Sequence, residues 1–188
     1  MHLSSFAIFA AFLVTGQAYP YVPSDIHCPS GSHHGFLHNS YTYLAPLHKF
    51  TAITGSFFNV TWYANTIVNA TTGMDNVPGA TRSGPASAET SFHETLTAFT
   101  SYPGDMLEYT YHGAATSDNG VDLEGYAETL RFRSICGGKA TYMDIVTYFC
   151  SRQRIAAYDI FYQGHLVSFP GIATEIGAPV FEGDCPGV

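Results

Sequence analysis

Basic residues are scarce in this chain of 188 residues. Lysine and arginine together number 7 against 15 aspartates and glutamates, so the formal net charge is −8 at pH 7 with histidine neutral. A chain with this balance repels the phosphate backbone of nucleic acids, which binds proteins through lysine and arginine. The same scarcity disfavours attachment to an anionic membrane surface. We therefore expect neither nucleic acid nor a membrane as a partner.

Several motifs of cofactor and metal sites are also missing. The sequence has no glycine-rich phosphate loop, no dinucleotide fingerprint and no hydrolase triad order. No two cysteines have the C-x-x-C spacing of a metal site. His34 and His38 have the spacing of metal ligands on a helix, but the surrounding glycines and serines favour a polar arm. We expect no cofactor and no metal.

Long apolar runs are limited to the start of the chain. Residues 3–14 are apolar apart from two serines, and residues 16–18 supply small side chains suited to cleavage. The run is shorter than the roughly 20 residues that a membrane span needs, so a signal peptide at residues 1–18 is favoured over an anchor. Sequons at Asn59 and Asn69 predict N-glycosylation. We expect a secreted glycoprotein.

The four cysteines predict two disulfide bonds. They are Cys28, Cys136, Cys150 and Cys185. If Gly137-Gly138 is a hairpin turn, Cys136 faces Lys139, and Cys150 lies eleven residues further along the strand. That distance is roughly 37 Å at about 3.4 Å per residue, whereas bridged Cα atoms are at most about 7 Å apart. Cys136 and Cys150 should therefore each bond to Cys28 or Cys185, in either pairing.

Four segments between residues 86 and 150 alternate between apolar and polar side chains, as strands of an antiparallel sheet do when one face is in water. The apolar face consists of Phe92, Glu94, Leu96, Leu107, Tyr109, Tyr111, Tyr126, Glu128, Leu130, Phe132, Met143, Ile145 and Thr147. The polar face consists of His93, Thr95, Thr97, Glu108, Thr110, His112, Thr129, Arg131, Arg133 and Asp144. The acids and phenols on the apolar face indicate a cavity.

The remaining segments predict helices and irregular ends. Residues 19–39 are rich in proline, glycine and histidine and predict an arm. Two short helices are predicted at residues 46–53 and 57–64. A final helix begins near Arg152 and ends at Pro170. Its expected buried face consists of Ile155, Tyr158, Tyr162, Leu166 and Phe169. The domain thus spans residues 40–170, followed by an irregular tail at 171–188 held by Cys185.

The order of these elements resembles the START-like superfamily (SRPBCC, Bet v 1-like proteins and polyketide cyclases/dehydrases), and the chain is similar to secreted fungal members. The residues that carry the likeness are Ala45-Pro46-Leu47-His48-Lys49-Phe50, Phe57, Phe58, Trp62-Tyr63, Gly79-Ala80-Thr81-Arg82, Glu94-Thr95-Leu96 and Gly125-Tyr126. The resemblance implies an α+β helix-grip fold. In that fold a curved antiparallel sheet wraps around a C-terminal helix, with two short helices near the N-terminus.

The resemblance also implies a cavity for a hydrophobic small molecule, and the protein is expected to be a monomer or weak homodimer. A carbonyl-bearing polyketide or isoprenoid would undergo cofactor-free cyclisation, dehydration or isomerisation in secondary metabolism. The expected catalytic residues are Glu94, Glu128 and Tyr109. The expected ligand-binding residues are Arg82, Phe92, Tyr111, Tyr126, Phe132, Met143, Tyr158 and Tyr162.

Two physical arguments support these roles. Burial among aromatic rings favours the neutral form of a carboxyl group, so Glu94 or Glu128 would transfer protons near neutral pH. The tyrosine hydroxyls would donate hydrogen bonds to a carbonyl or enolate. Alternatively, the acids pair with Arg82 and only stabilise the fold. In that case the protein is a non-catalytic extracellular ligand carrier or an effector that interacts with other proteins.

Overall fold

The computed structural model describes residues 27–86, 90–118 and 120–185. The predicted signal peptide and residues 19–26 of the predicted arm lie outside the described residues. Seven strands form an antiparallel sheet in the order β1-β9-β8-β5-β4-β3-β2, and β6 pairs with β7. The strands are β1 His33–Tyr43, β2 Ala70–Thr72, β3 Thr81–Pro85, β4 Ser91–Tyr102, β5 Met106–Gly113, β6 Thr116–Asp118, β7 Val121–Leu123, β8 Gly125–Ile135 and β9 Ala140–Ser151.

The predicted division of the sheet into two faces is confirmed. All thirteen residues assigned to the apolar face are buried. Most residues of the polar face are exposed or half-buried, but Thr129 and Asp144 are buried there. Asp144 is compatible with burial because His38 and Arg131 lie 3.4 Å and 3.8 Å from its Oδ2. Arg131 and Asp144 are also cross-strand neighbours in β8 and β9.

The first strand begins earlier than predicted. β1 pairs with β9 from His33 through Tyr43, so residues 33–39 belong to the sheet and not to an arm. Gly35 allows this pairing, because a Cβ at that position would lie 2.0 Å from the ring of Phe149. Glycine and histidine are poor local signals for a strand, but long-range pairing with β9 overrides that preference.

The structure contains two α-helices among the described residues. Helix α1 spans Leu47–Thr54 and buries Leu47 and Phe50. The second short helix predicted at residues 57–64 is wrong, because that segment forms successive turns. Ala64 and Asn65 have φ angles of 47° and 59°, which a right-handed helix does not accommodate.

Helix α2 spans Arg154–Glu175, and of its predicted buried face only Phe169 is fully buried. Ile155 is 81% exposed, and Tyr158 and Leu166 are also exposed. The buried residues are Ala157, Phe161, His165, Ser168, Phe169, Ile172 and Ala173. Apolar residues occur on all sides of this helix, so spacing alone did not identify the face that meets the sheet. The predicted end of this helix at Pro170 is also wrong, because the helix continues to Glu175 and is stabilised beyond the proline by burial of Ile172 and Ala173.

The disulfides are Cys28–Cys150 and Cys136–Cys185, so the exclusion of a Cys136–Cys150 bond is confirmed. The first attaches the segment before β1 to the end of β9. The second attaches the tail to the hairpin between β8 and β9. The tail also pairs with β1, since the amide of Phe181 donates to the carbonyl of Thr42 at 2.9 Å. No helix in the described part of the chain is long and apolar enough to span a membrane.

The two disulfides should contribute unequally to stability. They close segments with sequence separations of 122 and 49 residues. Loop-closure entropy predicts about 5 kcal/mol for the first and about 4 kcal/mol for the second. We expect Cys28→Ser/Cys150→Ser to lower the free energy of unfolding in urea more than Cys136→Ser/Cys185→Ser does. The reverse order would show that native-state contacts, and not chain entropy, dominate.

Candidate functional site

A cavity of about 430 Å³ lies between the concave face of the sheet, α2 and the turns that follow α1. Its wall combines aromatic rings with two carboxylates and one guanidinium. The lining residues include Arg82, Phe92, Glu94, Tyr111, Leu123, Tyr126, Glu128 and Phe161, with Asn65 and Ile67 nearer the outside. Aromatic walls with a few convergent polar groups are typical of small-molecule sites.

Arg82 and Glu94 form a buried ion pair across neighbouring strands. They face each other in the register of β3 and β4, and the Nε–Oε2 distance is 2.6 Å. Arg82 Nη1 also donates to the carbonyl of Phe57 at 2.6 Å. The guanidinium lies 4.3 Å and 4.7 Å from the ring centres of Phe57 and Tyr111. Burial lowers the pKa of Arg82, but the charge of Glu94, its hydrogen bond to Arg82 and the two neighbouring tyrosines together outweigh burial and raise the pKa, so Arg82 stays cationic.

The second oxygen of Glu94 accepts a hydrogen bond from Tyr126. The hydroxyl of Tyr126 donates to Oε1 of Glu94 at 2.6 Å. Tyr126 and Gly113 are cross-strand neighbours in β8 and β5. A Cβ at Gly113 would lie 2.0 Å from Cζ of Tyr126, so the ring lies directly over the glycine. Gly113 therefore provides the space through which the phenol reaches Glu94.

Glu128 is the centre of a second hydrogen-bond network. Tyr111 donates to its Oε2. Thr147 donates to Oε1 at 2.7 Å, and Nε2 of His165 lies 3.1 Å from the same oxygen. Burial raises the pKa of Glu128, but the interactions with His165, Tyr111 and Thr147 outweigh it and lower the pKa below 4.5. The expectation that burial would keep this acid neutral is therefore wrong for Glu128.

His165 is a functional candidate that the sequence analysis did not select. It is fully buried on α2, behind Glu128 as seen from the cavity. Its Nδ1 lies 2.7 Å from Oδ1 of Asn39 on β1. The ring of Tyr63 covers it edge-on, with 5.9 Å between ring centres. A histidine on the buried face of α2 would have indicated a functional residue. The sequence analysis predicted a different face of this helix to be buried, so it did not select His165.

The structure brings together six of the eleven predicted site residues. Those that line the cavity are Arg82, Phe92, Glu94, Tyr111, Tyr126 and Glu128. Phe132 and Met143 are fully buried in the core beyond it. Tyr158 and Tyr162 stack on each other with 6.0 Å between ring centres and do not line the cavity, because the buried face of α2 is a different one.

The third residue that the sequence predicts to be catalytic is Tyr109. Tyr109 does not line the cavity, and its hydroxyl is buried with no hydrogen-bond partner among the described residues. Of the three tyrosines that line the cavity, Tyr111 and Tyr126 already donate their protons to Glu128 and Glu94. A phenol has a single proton to donate, so neither tyrosine offers one to a ligand while these bonds persist.

The histidines near the N-terminus do not form the metal site that their spacing allows on a helix. His34 and His38 lie in β1, where four residues span about 13 Å. His34 does approach Cys28, with 3.2 Å between Nδ1 and Sγ. The sulfurs of Cys28 and Cys150 lie within 4.8 Å of His34, but they are bonded to each other. A disulfide is not a thiolate ligand.

A curved antiparallel sheet that closes on a long C-terminal helix around a cavity is the helix-grip architecture. The chain therefore has the α+β helix-grip fold that the resemblance in its sequence implied, and the predicted fold class is confirmed. It has one short helix before β2 among the described residues, where two were expected.

Comparisons with known proteins agree with this fold. Norcoclaurine synthase from Thalictrum flavum is similar, with a TM-score of 0.55 and 8% identity over 83% of this chain and 95% of that chain. The Zhui aromatase/cyclase from Streptomyces sp. R1128 has a TM-score of 0.51 and 8% identity over 76% and 93%. A protein from Nitrosospira multiformis has a TM-score of 0.55 and 16% identity over 75% and 95%. No family model and no curated protein sequence matches this chain.

Replacement of Gly113 tests the contact that positions Tyr126. In Gly113→Ala the new methyl group would displace the Tyr126 ring and weaken its hydrogen bond to Glu94. We expect a loss of roughly 1 to 3 kcal/mol in the free energy of unfolding in urea. Gly171→Ala is the control, because a Cβ at that position meets nothing within 4 Å. Equal stability of the two variants would contradict the assigned role of Gly113.

The lowered pKa of Glu128 predicts a dependence of stability on pH. Below the ordinary value of 4.5 the unfolded chain binds a proton that the folded chain resists. This contribution is present above about pH 4.5 and is lost as the pH falls through the folded pKa. Between pH 5.5 and pH 3, urea unfolding should show a larger loss for the wild type than for Glu128→Gln/His165→Gln. Parallel losses would contradict the prediction.

Proposed function

We propose that this chain is a secreted cavity protein that acts on a hydrophobic, carbonyl-bearing small molecule of polyketide or isoprenoid type. The proposed reaction is a cyclisation, dehydration or isomerisation that needs no cofactor. Each of these reactions moves a proton from one atom of the substrate to another, so it needs a base and an acid on the wall of one water-poor site.

The observation that carries this proposal is the pair of carboxylates in one aromatic cavity. Glu94 and Glu128 both line it, and each accepts a hydrogen bond from a tyrosine hydroxyl. Their partners differ, because Glu94 is neutralised by Arg82 whereas Glu128 contacts His165. Two acids in different surroundings are suited to different steps of proton transfer.

The contacts assign a role to each group. Glu128 is the base, because its lowered pKa keeps it ionised at neutral pH. Tyr111 extends its reach: the phenol oxygen accepts the substrate proton while the phenol's own proton passes to Glu128. Burial raises the pKa of Tyr111 well above 10, so both protons move together and no free phenolate forms. The aromatic walls hold the substrate in a reactive conformation.

Arg82 is the group that polarises the carbonyl in this scheme. It lines the cavity and keeps its positive charge. This role replaces the one expected for the hydroxyls of Tyr111 and Tyr126, whose protons are already donated to the carboxylates. A guanidinium has five N–H groups, of which Nε serves Glu94 and Nη1 serves the carbonyl of Phe57.

Two of the similar structures support small molecules as the ligands of such a cavity. One norcoclaurine synthase structure, with a TM-score of 0.53 and 8% identity, holds dopamine and hydroxybenzaldehyde. The Zhui protein is described as an aromatase/cyclase. At these identities the likeness concerns the fold, and the reaction proposed here depends on the residues of this chain.

Secretion is part of the proposal. The two disulfides are typical of proteins from oxidising compartments. Asn59 and Asn69 are both exposed, as acceptors of glycans must be. We propose that residues 1–18 are a signal peptide, that the tail is fixed by Cys185, and that the protein acts as a monomer or weak homodimer.

A second candidate function is that of a non-catalytic ligand carrier or effector. One observation favours it: both carboxylates are already satisfied by partners within the protein. A closed network of this kind stabilises a cavity without reacting. The two candidates differ in what the carboxylates do once a ligand is bound.

Substitution of each acid by its amide distinguishes the candidates. The ligand would first be identified by native mass spectrometry of the protein purified from its own culture medium. An enzyme should lose about 10²- to 10⁴-fold in turnover in Glu94→Gln or Glu128→Gln, while the Kd for the ligand changes by less than about threefold. Glu108→Gln is the control, because Glu108 pairs with Arg131 on the outer face of the sheet. Unchanged turnover in both variants would contradict the proposed catalysis, and a ligand recovered unaltered would favour the carrier.

A further inference from the structure

His165 is a buried titratable group that the proposed reaction does not use directly. It does not line the cavity, yet its side chain is fully buried and contacts Glu128, which does. Burying an imidazole costs free energy unless both ring nitrogens find partners. The identity of those partners determines how many protons the ring carries.

The contacts of Nε2 require a proton on that nitrogen. Nε2 lies 3.1 Å from Oε1 of Glu128 and 3.3 Å from Oγ1 of Thr147. The two oxygens of Glu128 accept hydrogen bonds from Tyr111 and Thr147, so this carboxylate is an acceptor toward the imidazole as well. Thr147 donates its own proton to Glu128, so its oxygen is also an acceptor toward the imidazole. Nε2 therefore faces two acceptors and must be the donor.

The contact of Nδ1 requires a second proton. Nδ1 lies 2.7 Å from Oδ1 of Asn39, and an amide oxygen only accepts. A ring that donates from both nitrogens is an imidazolium. Asn39 lies opposite Ile145 in the register of β1 and β9, so its side chain is held by the edge of the sheet.

We propose that Asn39 and His165 are positioning residues for Glu128: Asn39 holds His165 as an imidazolium, and the imidazolium keeps Glu128 an ionised base at the cavity wall. This inference rests on the proposed function for its catalytic meaning, although the protonation state exists without a ligand. The site then contains two ion pairs, Arg82–Glu94 and His165–Glu128, and its net charge is zero.

The other groups around the pair do not change charge near neutral pH. The side chains that face His165 are Asn39 from β1, Glu128 from β8, Thr147 from β9 and Tyr63 from the turns after α1. Tyr111 from β5 faces Glu128. Burial raises the pKa of both Tyr63 and Tyr111 well above 10. Arg82 and Glu94 neutralise each other across the cavity.

Nitrogen NMR of the histidine rings tests the inference on the ligand-free, disulfide-bonded protein. The signals of the His165 ring are assigned by their disappearance in the variant His165→Gln. At about pH 7.5, where an ordinary histidine is mostly neutral, both ring nitrogens of His165 should be protonated. The exposed histidines His93 and His112 provide the comparison signals in the same spectrum. A His165 signal with an unprotonated Nδ1 would overturn the inference, because Asn39 would then be donating its amide proton.

Two variants of Asn39 separate positioning from simple structural support. Asn39→Leu removes the acceptor, and one ring nitrogen should lose its proton. Asn39→Asp retains an acceptor of the same shape, so both protons should remain. Ser40→Leu, at the neighbouring exposed position of β1, should leave the ring signals unchanged. An unchanged His165 spectrum in Asn39→Leu would overturn the role of Asn39. If that variant does not fold, the wild-type spectrum still determines the charge of His165.

Turnover provides a separate readout once a substrate is known. The pH profile of kcat should shift in Asn39→Leu and return to that of the wild type in Asn39→Asp. A protein that shows the doubly protonated ring but no turnover contradicts the proposed function and leaves the imidazolium assignment standing. A protein that turns over substrate with a neutral His165 contradicts the imidazolium assignment and leaves the proposed function standing.

Discussion

A single buried cation organises much of this structure. Arg82 is 1% exposed, and an unpaired guanidinium in such a position would cost several kcal/mol. Glu94 neutralises it from the adjacent strand, and the carbonyl of Phe57 brings the turns after α1 onto the sheet. Because Glu94 is held in this way, Tyr126 must reach it across β5, which requires the space above Gly113. One charge thus links the sheet, the turns and the cavity wall.

The two carboxylates of the cavity show how neighbours determine the behaviour of identical side chains. Glu94 faces a group that never loses its charge, so its partnership is permanent. Glu128 faces the imidazole of His165, which is charged only when both of its ring nitrogens carry a proton. The depth of burial is similar, and the difference comes from the element that each acid meets: β3 for Glu94 and α2 for Glu128.

The sequence predicted the sheet more fully than the site. Alternation is a strict signal, because a shift of one residue would reverse every side chain between Phe92 and Thr147, and this signal placed Glu94 and Glu128 correctly. It did not indicate which tyrosines reach the cavity, since Tyr109 and Tyr111 share a face and differ only in depth. The face of α2 was mispredicted because burial of His165 depends on Asn39, 126 residues away in the chain. Partners that distant leave no local pattern.

The pairing of the tail with β1 has a consequence for behaviour in concentrated solution. Strand β1 is an edge of the seven-stranded sheet, and an edge strand is a template on which another chain can add its own strand. Residues 179–181 occupy the end of that edge near Thr42 and Leu44, and Cys185 tethers them to the hairpin. By holding the tail on this part of β1, the Cys136–Cys185 disulfide should also reduce self-association through the edge strand, in addition to any contribution to folding.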